Sequence, residues 1–245
     1  MRNFEWDASR KIPQPQAYLD AQIERLIELG YPQILGVGAT SFRQVLSTLA
    51  SYLPEAGEMP TFIPSCGHLP FVLVINTAAM PVRKMIPLIE RRGKTAVERL
   101  YPIEPELFHP TEDTEIPEGH AYLLWDIDRG MDTLNVTPEA ALHALQAQQR
   151  SPLTIEEGAA LLTHYPEFLQ PNNCFLMLGS RCGDKRVPAL WLSDGRPKLG
   201  WCWAGNPHTW LGSASCAKRS PAVKLMELLG EGSAANREEF PQPLG

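Results

Sequence analysis

CFLMLGSRCGDKRVPALWLSDGRPKLGWCW, residues 174–203, contains three apolar runs that are separated by turn-forming residues. The runs at 174–178, 187–192 and 198–203 are apolar and aromatic and have the length of strands, so each predicts a β-strand. Between the last two runs, Ser-Asp-Gly-Arg-Pro at 193–197 is typical of a hairpin turn. The segment therefore predicts a sheet that includes an antiparallel pair.

Two helices with clear start signals precede these strands. Thr137 is followed by a proline, which is favoured at the first helical position, and Thr154-Ile-Glu-Glu157 forms a capping box before an apolar run. Apolar runs at 71–75 and 121–125 predict two further strands. We therefore expect an α+β fold with a mixed or antiparallel sheet flanked by helices.

The N-terminal part of the chain has helical periodicity. Segments 17–29 and 41–53 place apolar residues on one stripe, and glycines lie between them, so they predict an N-terminal helical hairpin. A helix at 82–92 is expected to kink or end early at Pro87, and a short helix is expected at 221–229. These elements suggest a helical region at 1–55 packed on an α+β core at 56–230, with a flexible tail at 231–245.

Composition excludes several classes of protein. The net charge of −6 and the pI near 5.6 argue against a nucleic-acid-binding protein, whose surface is normally basic. The sequence has no apolar run near the roughly 18 residues of a membrane span, and its N-terminus does not resemble a signal peptide. We therefore expect a cytoplasmic protein without a membrane partner. Its five cysteines are an odd number and favour thiols or metal ligands over disulfides.

A cluster of cysteines and one histidine offers zinc-type ligands. Cys182, Cys202, His208 and Cys216 supply the four thiolate and imidazole groups that a tetrahedral zinc site needs. No CxxC motif supports this assignment. The alternative is that each cysteine is a small buried apolar residue, which is common for free cysteines.

The loop at 179–186 combines two glycines with three cationic side chains. Glycines allow backbone amides to turn toward an anion, and Arg181 and Lys185 supply positive charge, so the loop is a candidate anion site. If the loop folds inward, the adjacent cations would lower the pKa of Cys182 and make it a reactive group beside His208. The alternative is a hairpin with a solvated, charged turn.

Tryptophans concentrate in the same region. On a strand, Trp201 and Trp203 share one face, while the opposite face carries only small residues such as Gly200, which would admit another backbone or a flat ligand. Trp210 lies among polar residues and glycine and is expected to form a pocket wall. We therefore regard Trp203, Trp210 and the neighbouring Asn206 as candidate ligand contacts, with core packing as the alternative.

Several motifs resemble one family. SPLTIEEGAALLTHYPEFL at 151–169, LGSRCGD at 178–184 and GWCWAGNPHTWLGS at 200–213 are similar to a mainly actinobacterial bacterial family known as domain of unknown function 5701. DTLNVTPEAAL at 132–142 and LIELGYPQILG at 26–36 also resemble it. The resemblance covers most of the chain but implies no activity.

Our leading hypothesis is a small-molecule site formed where the 179–186 and 205–216 loops meet. His208 and Cys182 would be its catalytic groups, Arg181 an anion clamp and Trp210 an apolar wall, for an anionic or aromatic metabolite in bacterial, including specialised, metabolism. The sequence leaves open whether such a protein is an enzyme or a binding protein. The alternative is a structural zinc protein that acts through partner contacts. The sequence does not determine the oligomeric state.

Overall fold

Three helices precede the first strand of the protein, whose computed structural model describes residues 15–54 and 63–225. They are α1 (Pro15–Glu28), α2 (Tyr31–Leu35) and α3 (Ala39–Ser47), which continues as a 3₁₀ turn at Thr48–Tyr52. Both predicted helices are present, and the short α2 between them was not predicted. That these helices form the predicted hairpin stays a prediction. Residues 1–14 and 55–62 lie outside the described part.

The remaining elements are short helices and strands. The helices are α4 (Val82–Met85), α5 (Pro138–Ala147) and α6 (Ile155–His164). The strands are β1 (His68–Ile75), β2 (Glu90–Arg91), β3 (Lys94–Thr95), β4 (Val97–Glu98), β5 (His109–Pro110), β6 (Ala121–Asp128), β7 (Ser151–Pro152), β8 (Cys174–Leu176), β9 (Ser180–Arg181), β10 (Arg186–Ser193), β11 (Arg196–Trp203), β12 (Leu211–Ser213), β13 (Ser215–Cys216) and β14 (Lys218–Arg219).

Two five-stranded sheets organise these elements. The first sheet has the order β1-β6-β13-β7, with β14 also paired to β6, and its strands are antiparallel. The second has the order β12-β8-β10-β11-β4 and is mixed, because its two outer pairings are parallel. Only Ala214 separates β12 from β13, so the chain passes from one sheet to the other there. The predicted α+β class with mixed or antiparallel sheets is confirmed.

Helix α6 lies at the centre of the molecule. Every residue from Ile155 to Thr163 is buried, and the helix packs against β1, β10, α1 and α4. A helix covered on all sides needs small or apolar residues all round. Gly158 meets this need where a Cβ atom would lie 2.0 Å from the Met177 Sδ atom. The two sheets and the helices thus enclose α6.

The free edge of strand β1 is covered by side chains. The backbone N–H of Leu73 donates to Gln22 Oε1 over 2.7 Å, and the Leu73 carbonyl lies 2.9 Å from His164 Nε2. Because a carbonyl can only accept, His164 carries its proton on Nε2. Exposed strand edges invite pairing with other chains, and this edge is closed at its centre by α1 and α6.

Most predicted elements agree with the structure. The 193–197 turn joins β10 to β11, with Asp194 and Gly195 at φ values of 54° and 73° that suit a tight hairpin. The helix predicted at 82–92 ends near Pro87, as expected, because α4 gives way to a 3₁₀ turn at Ile86–Leu88.

The predicted C-terminal helix is not found where the structure describes the chain. Residues 221–225 are not helical, since Val223 bridges to Ala121 at the edge of the first sheet. Residues 226–229 of that helix, and the tail predicted at 231–245, lie outside the described residues. The predicted division into regions stays a prediction.

None of the helices within 15–54 and 63–225 is long and apolar enough to cross a membrane.

Protonation of His164 at acidic pH should destabilise the folded state. Burial lowers the pKa of His164 from 6.5 to about 4, so the folded state favours the neutral ring. The associated stability is present above pH 6.5 and is lost as pH falls toward 4. We expect His164→Gln, which keeps a donor for the Leu73 carbonyl, to remove a pH dependence on the order of 2–3 kcal/mol. Urea denaturation from about pH 7.5 to about pH 4.5 measures it.

The control is His143→Gln, because His143 lies exposed on α5. The free energy of unfolding of this variant should change with pH as that of wild type does. If the free energy of unfolding of His164→Gln changed with pH in the same way as that of wild type, the assignment would be contradicted.

Candidate functional site

Two adjoining cavities form a groove at the N-terminal end of α6. Their volumes are about 380 and 410 Å³, and both have Asp113 and Ser151 in their walls. The charged and hydroxyl-bearing residues that line the groove are Thr111, Asp113, Glu115, Arg150, Ser151, Arg181, Lys218 and Arg219.

One wall of the groove is the 111–117 loop, which is anchored beside Arg181. Strands β5 and β9 pair antiparallel, with His109 opposite Arg181, and the Thr111 N–H donates to the Gly179 carbonyl over 2.9 Å. Within the loop, the hydroxyls of Thr111 and Thr114 are 2.8 Å apart. The same short pair of strands, β5 and β9, therefore positions both the loop and Arg181.

Gly179 allows the opposite wall to approach. The Gly179 N–H donates to the Leu153 carbonyl over 2.8 Å, and a Cβ atom at Gly179 would lie only 2.7 Å from the Pro152 carbonyl oxygen. Any larger residue would push these backbones apart. Glycine at this position thus places Arg181 next to β7, which contributes Ser151 to the groove.

Side chains accept hydrogen bonds from the backbone N–H groups of Thr154, Ile155 and Glu157 at the start of α6. Thr154 and Glu157 form the predicted capping box, in which each side chain accepts from the other residue's backbone N–H. Ser180 Oγ accepts from the Ile155 N–H over 3.0 Å. A buried helix end requires such partners, and here β9 supplies one of them.

Glu157 and Arg219 form a buried bidentate ion pair beneath the groove. Their N–O distances are 2.6 and 2.8 Å, and the side chains are 0% and 6% exposed, respectively. Tyr122 donates its hydroxyl to Glu157 over 2.8 Å, and Arg219 Nη1 donates to Ser151 Oγ over 2.7 Å. Burial alone would lower the pKa of Arg219, but Glu157 raises it above its ordinary value.

The neighbouring carboxyl group of Glu156 is also buried, with 2% of the residue exposed. Burial raises the pKa of Glu156 to about 7, and the charge of Glu157 adds to this effect. Near neutral pH, Glu156 is therefore partly protonated, while Glu157 pairs with Arg219.

The four cations on the groove differ in how their charge is balanced. Arg219 pairs with Glu157, and Arg150 pairs with Asp126 over 2.8 Å. Among the described residues, Arg181 and Lys218 have no carboxylate within ion-pairing distance. Arg181 Nη1 donates to two backbone carbonyls over 2.8 Å each, and Lys218 Nζ lies 5.8 Å from the ring centre of Trp125. Arg181 and Lys218 thus line the groove without a direct ion pair, while Asp113 and Glu115 share its walls and Glu139 acts on Arg181 from a greater distance.

The 179–186 loop does not fold inward around Cys182. The Cys182 thiol donates to Asp184 over 3.3 Å, and Asp184 also accepts from the Arg186 backbone and guanidinium. Burial raises the pKa of Cys182, and the hydrogen bond to Asp184 raises it further. The lowering of this pKa that was predicted for an inward-folded loop is not found, because burial and the contact with the Asp184 carboxylate both favour the neutral thiol. Lys185 is exposed.

The 205–216 loop places its candidate residues away from the groove. His208 packs edge-on against Trp210, with ring centres 5.5 Å apart, and its Nε2 is buried without a partner among the described residues. Burial lowers the pKa of His208. Asn206 is exposed, and Trp203 contacts Arg186 and Trp201. None of these residues lines either cavity of the groove, which Arg181 does.

The predicted zinc ligands are not assembled. Within residues 15–54 and 63–225, no group of three or more His, Cys, Asp or Glu side chains is placed to hold a metal ion. Cys202 lies on β11 in the second sheet and Cys216 on β13 in the first. Burial raises the pKa of Cys202 to about 11 and that of Cys216 to about 12, so both remain protonated thiols.

The face of β11 that carries small residues is covered by the protein itself. A Cβ atom at Gly200 would lie 2.2 Å from the ring of Trp191, which extends from the neighbouring strand β10. The flat group that Gly200 admits is thus an indole of this chain.

Sequence reasoning found Arg181 but missed the other charged residues of the groove. Asp113, Glu115, Arg150 and Lys218 come from three distant segments that carry no motif. The only local signal is the 111–117 loop, which contains acidic residues and a proline. The residues that face it across the groove cannot be deduced from their spacing in the sequence.

Comparison with known proteins gives one family match. A family model described as a family of unknown function (DUF5701) matches residues 25–222, which include every residue that lines the groove. Searches of the curated proteins and of the solved structures found no match.

Removing Arg219 should strongly destabilise the fold. Arg219→Gln leaves Glu157 charged and buried, which typically costs about 3–5 kcal/mol, whereas replacing both charged partners costs less. We therefore expect the double variant Glu157→Gln/Arg219→Gln to be less destabilised than the sum of the single variants Glu157→Gln and Arg219→Gln. Urea denaturation of the four proteins gives this coupling energy.

The matched control is Arg83→Gln, which breaks an exposed pair with Glu106 and should cost less than about 1 kcal/mol. An Arg219→Gln variant as stable as this control would show that the buried pair is dispensable.

Proposed function

Because the chain belongs to DUF5701, a family of unknown function, membership brings no activity, and we propose from the groove that the protein binds a small metabolite with a carboxylate or phosphate group. Arg181 is the principal anion contact in this proposal, as the sequence suggested, and Lys218 is the second. The proposed site lies between the 111–117 loop and the N-terminal end of α6.

The observation that carries the proposal is the charge balance of the groove. Arg181 and Lys218 line it without a carboxylate partner among the described residues, whereas Arg150 and Arg219 are neutralised by Asp126 and Glu157. Arginine offers several donors in a fixed plane, which suits carboxylate and phosphate oxygens. Its orientation is already set, because Arg181 Nη1 donates to the carbonyls of Leu178 and Ser180.

The other groups on the groove complement an anion. Ser151 Oγ accepts from Arg219, so its hydroxyl hydrogen is available to a ligand oxygen. Asp113 and Glu115 fit a ligand that also carries an ammonium or another donor, and Leu142 and Ile116 add apolar surface. Each cavity has a volume within the roughly 300–1,000 Å³ range of small-molecule sites.

We further propose that the protein works in the cytoplasm. All five cysteines are free thiols in the structure, and thiols are maintained in the reducing cytoplasm. Catalysis by His208 and Cys182 is not part of the proposal, because neither lines the groove and the thiol of Cys182 contacts a carboxylate.

Ligand-induced thermal shifts test the proposal. Wild-type protein is screened against carboxylates, amino acids and phosphorylated metabolites, and each ligand that raises Tm is titrated against Arg181→Gln and Lys218→Gln. We expect the affinity to fall about tenfold or more in Arg181→Gln and less in Lys218→Gln, whose charge is more exposed, since charge-assisted bonds contribute roughly 1.5–3 kcal/mol.

Two further variants locate the site. Lys84→Gln removes an exposed cation of α4 and should bind like wild type. His208→Ala tests the site predicted from the sequence. If no ligand shifts Tm, or if His208→Ala loses binding while Arg181→Gln retains it, the groove is not the binding site.

A further inference from the structure

Another cavity, with four cations and one carboxylate in its walls, lies at the β10–β11 hairpin. Its volume is about 360 Å³, and its walls contain Lys94, Arg99, Arg196 and Lys198 with a single carboxylate, that of Asp194. The chain as a whole carries 28 acidic and 22 basic residues. A cationic concavity in an acidic protein is therefore a local feature that the overall charge does not explain.

Strand pairing brings these cations onto one face. Lys198 on β11 is in register with Val97 on β4, and Arg196 and Arg99 each lie two residues from this pair. Because side chains two residues apart on a strand point to the same side, Arg99, Arg196 and Lys198 share a face of the second sheet.

The turn and strand β3 fix two members of the cluster. Arg196 Nη1 donates to the Thr95 carbonyl over 3.0 Å, and Lys94 Nζ donates to the Asp194 carbonyl in the hairpin turn. These acceptors are neutral backbone groups. In the described part of the chain, none of the four cations has a carboxylate within ion-pairing distance.

Like charges that line one cavity repel one another, and the repulsion is relieved when an anion enters. Two of the cations, Arg196 and Lys198, are only partly exposed, so solvent screens them less than free surface charges. A ligand with one negative charge would leave most of this repulsion in place. The cavity therefore favours a ligand that carries several negative charges in a small volume.

We propose that this cavity is a binding site for a small, multiply charged phosphate-bearing molecule. It is separate from the groove at α6 and shares no lining residue with it. Lys198 and Arg99 bind the anion directly. Lys94 and Arg196 also position the walls of the site through their hydrogen bonds to backbone carbonyls.

Isothermal titration with inorganic tripolyphosphate and orthophosphate tests the proposal. We expect about one tripolyphosphate per chain, an affinity at least about tenfold higher than for orthophosphate, and weaker binding at higher salt. Lys198→Gln and Arg99→Gln should each reduce the tripolyphosphate affinity about tenfold. Because both residues are at the surface or only partly buried, urea denaturation should show that the variants remain folded.

Lys84→Gln is the matched control, since it removes one exposed positive charge elsewhere on the protein and should bind tripolyphosphate like wild type. Equal affinity for the two phosphates, or wild-type binding by both cavity variants, would overturn the proposal. Loss of binding in Arg181→Gln would also overturn it, because the anion would then occupy the groove. If a single-stranded oligonucleotide bound more tightly than tripolyphosphate, the ligand would be a nucleic acid and the proposal would be overturned.

Discussion

The buried pair of Glu157 and Arg219 is the interaction on which the rest of the structure depends. Helix α6 has no solvent-facing side, so the charge and the unpaired amides of its first turn must be satisfied inside the protein. Glu157 links Arg219 of β14 and Tyr122 of β6 to the helix, and Arg219 extends the network to Ser151 of β7. One carboxylate thereby fixes the helix against three strands of the first sheet.

The two ends of α6 have different tasks. At its C-terminal end, His164 binds the Leu73 carbonyl and closes the edge of β1. At its N-terminal end, Ser180 caps the helix while the next residue, Arg181, lines the groove. The residues that stabilise the helix therefore also position the proposed ligand contact. This arrangement explains why the groove lies at a helix end that is rigidly supported rather than on an isolated loop.

Local signals made much of the fold predictable. The capping box at Thr154, the Asp194-Gly195 turn and the apolar runs of the strands each determine an element through neighbouring residues, and each element is present. The groove was predictable only at Arg181, because its other charged residues meet through sheet pairing between distant segments. The concentration of cysteines in one segment was misleading for a related reason: Cys202 and Cys216 are 14 residues apart in sequence but belong to different sheets.

The passage of the chain from one sheet to the other at Ala214 affects the cooperativity of unfolding. Strands β12 and β13 form one continuous stretch of chain that pairs with β8 in the second sheet and with β6 and β7 in the first. Detaching this stretch opens hydrogen bonds in both sheets at once, so neither sheet has a boundary at which it could unfold alone. Backbone amides around β8 and β6 should therefore exchange with solvent through a common opening, and the two sheets should behave as a single folding unit.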